Sequence, residues 1–298
     1  MTAAARVERA VDAVAGRLLA PAVVRATAQR RVAVLTYHGV HDGDRFAAHL
    51  DWLARHTTPL SLDDAIEALL GRARPPARAT LVTFDDGDRS FLEIGVPLLE
   101  RRGIPAAVFV VAGLLDRDEP FWWEEVSALV GSRAPTLVAE LKRVPNRERL
   151  AAIEGLRERS TGPGPRVRQL GRADLLDLEA AGIAIGSHSL THPCLDQCSD
   201  DEITREVVAS RDALAATLGR PPRAFAYPNG SCDARVEHAV RAAGYEVAFL
   251  FDHRRASIPT TEPMAISRLR INDDDSVDRL AAVVSGVHPA LHHARGRE

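Results

Sequence analysis

Short apolar runs alternate with helix-patterned segments along most of this chain, a rhythm that restricts the fold to a parallel sheet or barrel with helices outside it. The runs cover 32–40, 79–82, 106–111, 183–187, 223–226, 245–250 and 265–271. Between them, Phe46, Leu50 and Leu53 recur at helical spacing, as do Ala65, Ile66, Leu69 and Leu70, and then Ile203, Val207, Leu214 and Leu218. Further helices are expected over 91–101, 174–181, 234–243 and 277–284. Ser61 with Asp64 gives an N-cap pair and Gly71 a stop. The count is about seven strand–helix units, fewer than the eight of the standard barrel. Residues 114–166 break the rhythm with Phe121-Trp122-Trp123, helices through Leu141 and Ile153, and a Gly/Pro return. They read as a helical insertion on one face. With 298 residues and 46% hydrophobic content, the chain can build one large α/β domain or two small ones.

Several runs end in residues that carry chemistry. The run 79–82 leads into Thr83-Phe84-Asp85-Asp86-Gly87, which delivers two adjacent carboxylates to a strand end. Neighbours on a strand point to opposite sides, but where the strand splays into a loop both can reach one pocket with different jobs. Asp-Gly is also a common turn pair, and an Asp there can cap the next helix. The run 183–187 leads into His188-Ser189-Leu190-Thr191-His192-Pro193. His188 and His192 are four apart, so one helical turn puts both imidazoles on one face. Such a pair plus one carboxylate is a common ligand set for a catalytic divalent metal with an open position. Eleven histidines make chance spacings frequent; the combination with Asp85 and Asp86 is the more specific observation. His38 and the segment 227–230 close two further runs, at the face where barrel enzymes build their sites.

Together, Thr83-Phe84-Asp85-Asp86-Gly87 and His188-Ser189-Leu190-Thr191-His192 resemble the first two motifs of the polysaccharide deacetylases of carbohydrate esterase family four, over roughly 32–285. The resemblance implies a distorted (β/α)7 TIM-like barrel with a helical insertion at about 114–166. It implies a metal-dependent hydrolase that removes N-acetyl groups from N-acetylhexosamine units of a polysaccharide, oligosaccharide or glycoconjugate. Asp86, His188 and His192 would hold the divalent metal and Asp85 would be the general base. Zn2+ suits that donor set, with Co2+, Ni2+, Mn2+ or Fe2+ as alternatives. Tyr227, Pro228 and Asn229 fall on the motif expected to meet the oxyanion and the substrate.

The chain departs from the family at two places. Ala226 stands where the family carries the Arg that orients the base, two residues before Pro228, so Arg268 or Arg270 on the late run is the expected substitute. The late Leu-x-His motif that carries the general acid is not evident. The biofilm poly-N-acetylglucosamine deacetylases are similar here: an early strand bears the histidine, and a later motif reads like Phe225-Ala226-Tyr227-Pro228-Asn229-Gly230. His38, in Tyr37-His38-Gly39, is therefore the candidate acid; the competing reading is a histidine hydrogen-bonded within the barrel core. The departures also motivate a carbohydrate-binding pseudoenzyme, and the scaffold admits a hydrolase of another small amide or ester.

A net charge of −3 gives no reason to expect nucleic acid or an anionic membrane as partner. The three cysteines, Cys194, Cys198 and Cys232, outline no disulfide framework and are expected as free thiols in a reducing compartment. Residues 1–30 read as an amphipathic helix, packed on the domain or lying on a membrane or partner. They lack the apolar core of a signal peptide, and no stretch approaches an integral membrane span. A cytoplasmic place, or one peripheral to the inner membrane face, is expected. Residues 286–298 are expected as a flexible tail. Trp122 and Trp123 either offer a stacking platform for a sugar ring or anchor the insertion.

Overall fold

The computed structural model describes residues 31–160 and 165–294; the segment 1–30, with its expected helix, lies outside them. Strand β1 (Arg31–Tyr37) leads through α1 (Gly43–His56), β2 (Thr58–Pro59) and α2 (Leu62–Leu69) to β3 (Ala79–Phe84). A π-helical turn, Phe91–Gly95, then opens the helix expected over 91–101 and continues as α3 (Val96–Glu100). Pro97 has no N–H to give to a regular ladder there. Next come β4 (Ala106–Val110), α4 (Trp122–Val130), α5 (Ala134–Leu141), α6 (Asn146–Arg159), α7 (Arg172–Ala180) and β5 (Ile183–Ser187). The chain ends through α8 (Asp200–Leu218), β6 (Ala224–Ala226), α9 (Ala234–Ala242), β7 (Val247–Phe249), β8 (Ala256–Ser257), β9 (Leu269–Arg270), α10 (Val277–Ser285) and α11 (Val287–Ala294).

The strands run β7-β6-β5-β4-β3-β1, all pairs parallel, and β9 pairs with β1 in parallel. Phe249 of β7 bridges Ile266, a few residues before β9. Seven parallel strands therefore close into a distorted (β/α)7 barrel. The late run expected as one strand over 265–271 is instead a bridge at Ile266 and the two-residue β9. The short β8, antiparallel to the start of β1, was not legible in the sequence.

Side chains alternate across each strand. On β1, Ala33, Leu35 and Tyr37 pack outward with Phe46, Leu50, Leu53, Leu99 and Leu280. Val32 and Val34 pack inward with Leu81, Ala107, Phe109, Ala226 and Phe249. The interior is tight: a Cβ on Gly186 would lie 2.4 Å from the Phe109 ring, so β5 keeps a glycine where Phe109 crosses the axis. The result is an apolar floor beneath the C-terminal rim.

Helix α8 has a capping box at Ser199 and Glu202 and stops at Gly219, whose φ is +71°. Its stripe Ile203, Val207 packs with Phe225 and Val240 outside the barrel. Helices α4 to α6 form the insertion around Trp122, Val126, Leu141 and Ile153. The segment expected to be a loose tail is helical through Ala294. His288, in the segment expected as a flexible tail, is buried, and its Nδ1 accepts the Nε2–H of His253 at 2.8 Å. All three cysteines are unpaired. No described helix is long and apolar enough to cross a membrane.

Candidate active site

His38 follows β1, Asp85 and Asp86 follow β3, His188 and His192 follow β5, Asn229 follows β6 and Phe251 follows β7. Because these strands are parallel, all seven side chains reach one rim, where with Trp123, Val138 and Lys142 they line a cavity of about 200 Å3. A larger groove of about 590 Å3, between α8 and α9, contains none of them. The backbone is strained at the rim. Seven non-glycine residues among those described have positive φ, and four belong to this site or its loops: Asp86 (+70°), Ser189 (+68°), His192 (+59°) and Asn229 (+56°). Each costs on the order of 1–3 kcal/mol and persists because its surroundings enforce it.

The turn at Asp86 explains how two adjacent carboxylates serve one cavity. Leu81 and Thr83 point into the barrel, and Asp85 continues that face, its N–H donating to Tyr37 O at 3.0 Å. Positive φ at Asp86 breaks the alternation and brings its carboxylate over the same cavity. Asp86 Oδ1 lies 3.4 Å from His188 Nε2 and 3.2 Å from His192 Nε2. The three groups are the potential metal-binding cluster among the described residues.

The donor set fits a divalent cation. His188 Nδ1–H donates to Ala226 O at 2.8 Å, which turns a lone pair at Nε2 toward Asp86. Asp86 Oδ1 is buried and accepts no hydrogen bond of sound geometry. Donors about 2.0–2.2 Å from a tetrahedral ion lie roughly 3.3–3.6 Å apart, close to the spacings seen. Burial alone would raise the Asp86 carboxyl; the two imidazoles beside it carry it well below the usual range. Burial holds His192 below its ordinary value. At His188 burial is outweighed by the charges of Asp85 and Asp86, so that ring is pushed up.

The loop carrying the histidines is held by a residue that sequence reasoning missed. Glu206 of α8 is buried and accepts the N–H groups of Leu190 (3.0 Å) and Thr191 (2.8 Å) and the Thr191 hydroxyl (2.6 Å). Ser189 Oγ accepts the N–H of His192, and Trp122 Nε1–H donates to His192 O at 3.1 Å. Trp122 anchors the insertion, while Trp123 lines the cavity, stacked on Phe121 with ring centroids 4.7 Å apart.

Asp85 is buried and engaged by Arg268 through two parallel bonds, Nη1 to Oδ1 at 2.8 Å and Nη2 to Oδ2 at 2.7 Å. Arg268 is itself fully buried. Its Nε–H donates to Leu250 O at 2.7 Å, and its guanidinium lies over the Phe109 and Phe249 rings. Burial alone would raise the Asp85 carboxyl; the guanidinium, with His188, brings it below its ordinary value. Of the two late arginines, Arg270 does not reach Asp85. It lies two residues further along, about 6.6 Å in an extended chain, and it donates to Phe251 O.

His38 is exposed at the cavity wall, edge-on to Phe251 at 5.5 Å, so it is not a core histidine. Its loop is fixed by Asp273, whose Oδ2 accepts the N–H groups of His41 (2.5 Å) and Asp42 (2.7 Å), and by Ser90, whose Oγ accepts Val40 N–H. Asn229 lines the cavity, but Tyr227 does not. Its ring is fully buried among Phe225 and Val236, and its hydroxyl donates to Met264 O at 2.8 Å. Pro228 is buried in the turn and is not part of the cavity wall.

No curated protein matches the chain. Solved structures do. The Streptococcus pyogenes deacetylase PplD, in complex with acetate, is 18% identical, with 86% of this chain and 99% of that chain covered at a TM-score of 0.64. IcaB from Ammonifex degensii is 21% identical, with 86% and 97% covered, at 0.64. The BpsB deacetylase domain from Bordetella bronchiseptica is 18% identical, with 81% and 96% covered, at 0.55. At these identities the likeness is one of fold. The family model described as polysaccharide deacetylase matches residues 72–248, which hold the Asp85–Asp86 and His188–His192 pairs and most of the barrel. The chain belongs to the polysaccharide deacetylase family.

Proposed function

We propose that this protein is a metal-dependent N-deacetylase acting on N-acetylhexosamine units of a glycan or glycoconjugate. One observation carries the reading: a buried carboxylate held ionised by a bidentate arginine sits beside an Asp–His–His cluster in one cavity. A divalent cation on Asp86, His188 and His192 would supply an acidified water and polarise the acyl carbonyl. Asp85 is free of that cluster and is the base that takes the water's proton. Arg268 fixes its orientation and keeps it in the carboxylate form needed at neutral pH. The departing amine must be protonated, and His38, on the exposed side of the cavity, is the acid. Asn229 is the group from the 227–230 turn left to meet the substrate.

The pseudoenzyme reading rested on the missing arginine at Ala226 and the absent late histidine motif. Arg268 meets both oxygens of Asp85, which favours catalysis over binding alone. The test is acetate release from N-acetylglucosamine oligomers with zinc or cobalt supplied and with a chelated control. Chelator-sensitive release supports the reading. Sugar binding without release, in protein shown to hold its metal, would return it to a binding role, and release only from other small amides or esters would move the substrate class.

A further inference from the structure

Lys142 is the single lysine among 38 basic residues, and it stands in the wall of the catalytic cavity. It caps the C-terminal end of α5, one turn after Val138, which lines the same cavity. Residues four apart share a helix face. This end of α5 therefore turns one apolar and one cationic side chain into the site. A helix C-terminus favours a cation by itself, which accounts for a basic residue but not for its facing the cavity.

The other charges of the wall are engaged. Asp85 has both oxygens on Arg268, and Asp86 faces the two histidines. Outside the wall, Glu124, close enough to feel the charges of Asp88 and Asp86, accepts the N–H of Phe121. Lys142 has no ion-pair partner among the described residues. From the β7–β9 side, the exposed Arg270 lies over the ring of Phe251, another wall residue, at 4.3 Å. Among the described residues, Lys142 is thus the one lysine or arginine in a wall whose carboxylates already face Arg268 and the two histidines.

We infer that Lys142 selects substrates that carry an anionic group, a phosphate or a carboxylate, on or next to the N-acetylated sugar. The inference rests on the deacetylase reading and deepens it. An ammonium is a compact charge with three donors on a flexible stem, suited to an anion whose position varies with the sugar. Removing a hydrogen bond to a charged group costs roughly 10–100-fold in affinity.

The test uses the metal-loaded wild type, Lys142→Met and Lys142→Arg. The probes are neutral methyl N-acetylglucosaminide, N-acetylglucosamine 1-phosphate and N-acetylmuramic acid, which separate phosphate from carboxylate. Acetate release gives the ratio of kcat/KM for each anionic probe to that for the neutral one. Calorimetry gives binding independently of turnover. The expected result is a wild-type preference for at least one anionic probe, weakened by salt, lost by roughly 10–100-fold in Lys142→Met and largely kept in Lys142→Arg. A wild type that handles the neutral probe as well as both others, or a ratio unchanged in Lys142→Met, overturns it. If no probe releases acetate, the oligomer assay decides the deacetylase reading, and calorimetry still decides the role of Lys142. Tighter anion binding by wild type than by Lys142→Met keeps the role of Lys142, and equal binding removes it.

Discussion

Replacing Arg268 by methionine removes the partner of Asp85 while keeping most of the side chain's length. Both groups are buried, with the pair at 2.7 and 2.8 Å, so the carboxylate is left charged in an apolar floor. Breaking a buried pair in this way costs about 3–5 kcal/mol. At roughly 2–4 °C per kcal/mol for a domain of this size, Tm falls on the order of 10 °C. The kinetic effect has a definite sign. Arg268 stabilises the carboxylate form, and without it burial favours the protonated acid. The base must be ionised to act, so the acid limb of the kcat/KM profile moves to higher pH. Arg268→Lys keeps the charge but not the two parallel bonds and lies between. Combining Arg268→Met with Asp85→Asn removes the stranded charge and recovers part of the lost stability. Thermal unfolding and a pH–rate profile of acetate release read both effects. A Tm within about 1 °C of wild type, with an unmoved acid limb, would refute the reasoning.

Glu206→Ala removes the shared acceptor of the Leu190 and Thr191 N–H groups and of the Thr191 hydroxyl, and loosens the histidine loop. Metal affinity is expected to fall roughly 10–100-fold; unchanged affinity by titration would reduce Glu206 to a packing role. His38→Ala is expected to lower turnover by roughly 10²–10⁴-fold with bound metal unchanged, and normal turnover would exclude it as the acid. Glu246 is held down to about 2 by its bonds to Arg223 and Arg72. Its folded value lies below the unfolded one of about 4.3, so its stabilisation is complete above that value and is lost as pH falls toward 2. The shift corresponds to about 3 kcal/mol, reduced to about 1 by solvent screening of a group nearly one-third exposed. Glu246→Gln should lower Tm at pH 7 and match wild type near pH 2; a pH-independent gap would contradict this.

The strand–helix rhythm made the barrel legible, because inward and outward side chains of β1 and β3 follow period two and helices such as α8 carry clear stripes. Asp85, Asp86, His188 and His192 were legible because each pair sits where an apolar run ends. What escaped depends on contacts between distant segments. Glu206 reads as one more charge on a helix, and it is buried only because the loop at 188–192 folds over it. Arg268 and Arg270 share the strand spacing, and only the barrel's depth separates the one that reaches Asp85 from the one that meets Phe251. Tyr227 lies within a functional-looking motif, yet its side chain points to the outer core beside Met264. His288 sits near the chain end, and nothing local announces its bond to His253.

The division of labour between the adjacent carboxylates is tested most directly by measuring bound metal and acetate release together in Asp85→Asn and Asp86→Ala. Asp85→Asn is expected to hold metal like wild type and to lose turnover; Asp86→Ala is expected to lose both. Metal lost from Asp85→Asn, or turnover retained with metal still bound in Asp86→Ala, would contradict the assignment of base and ligand.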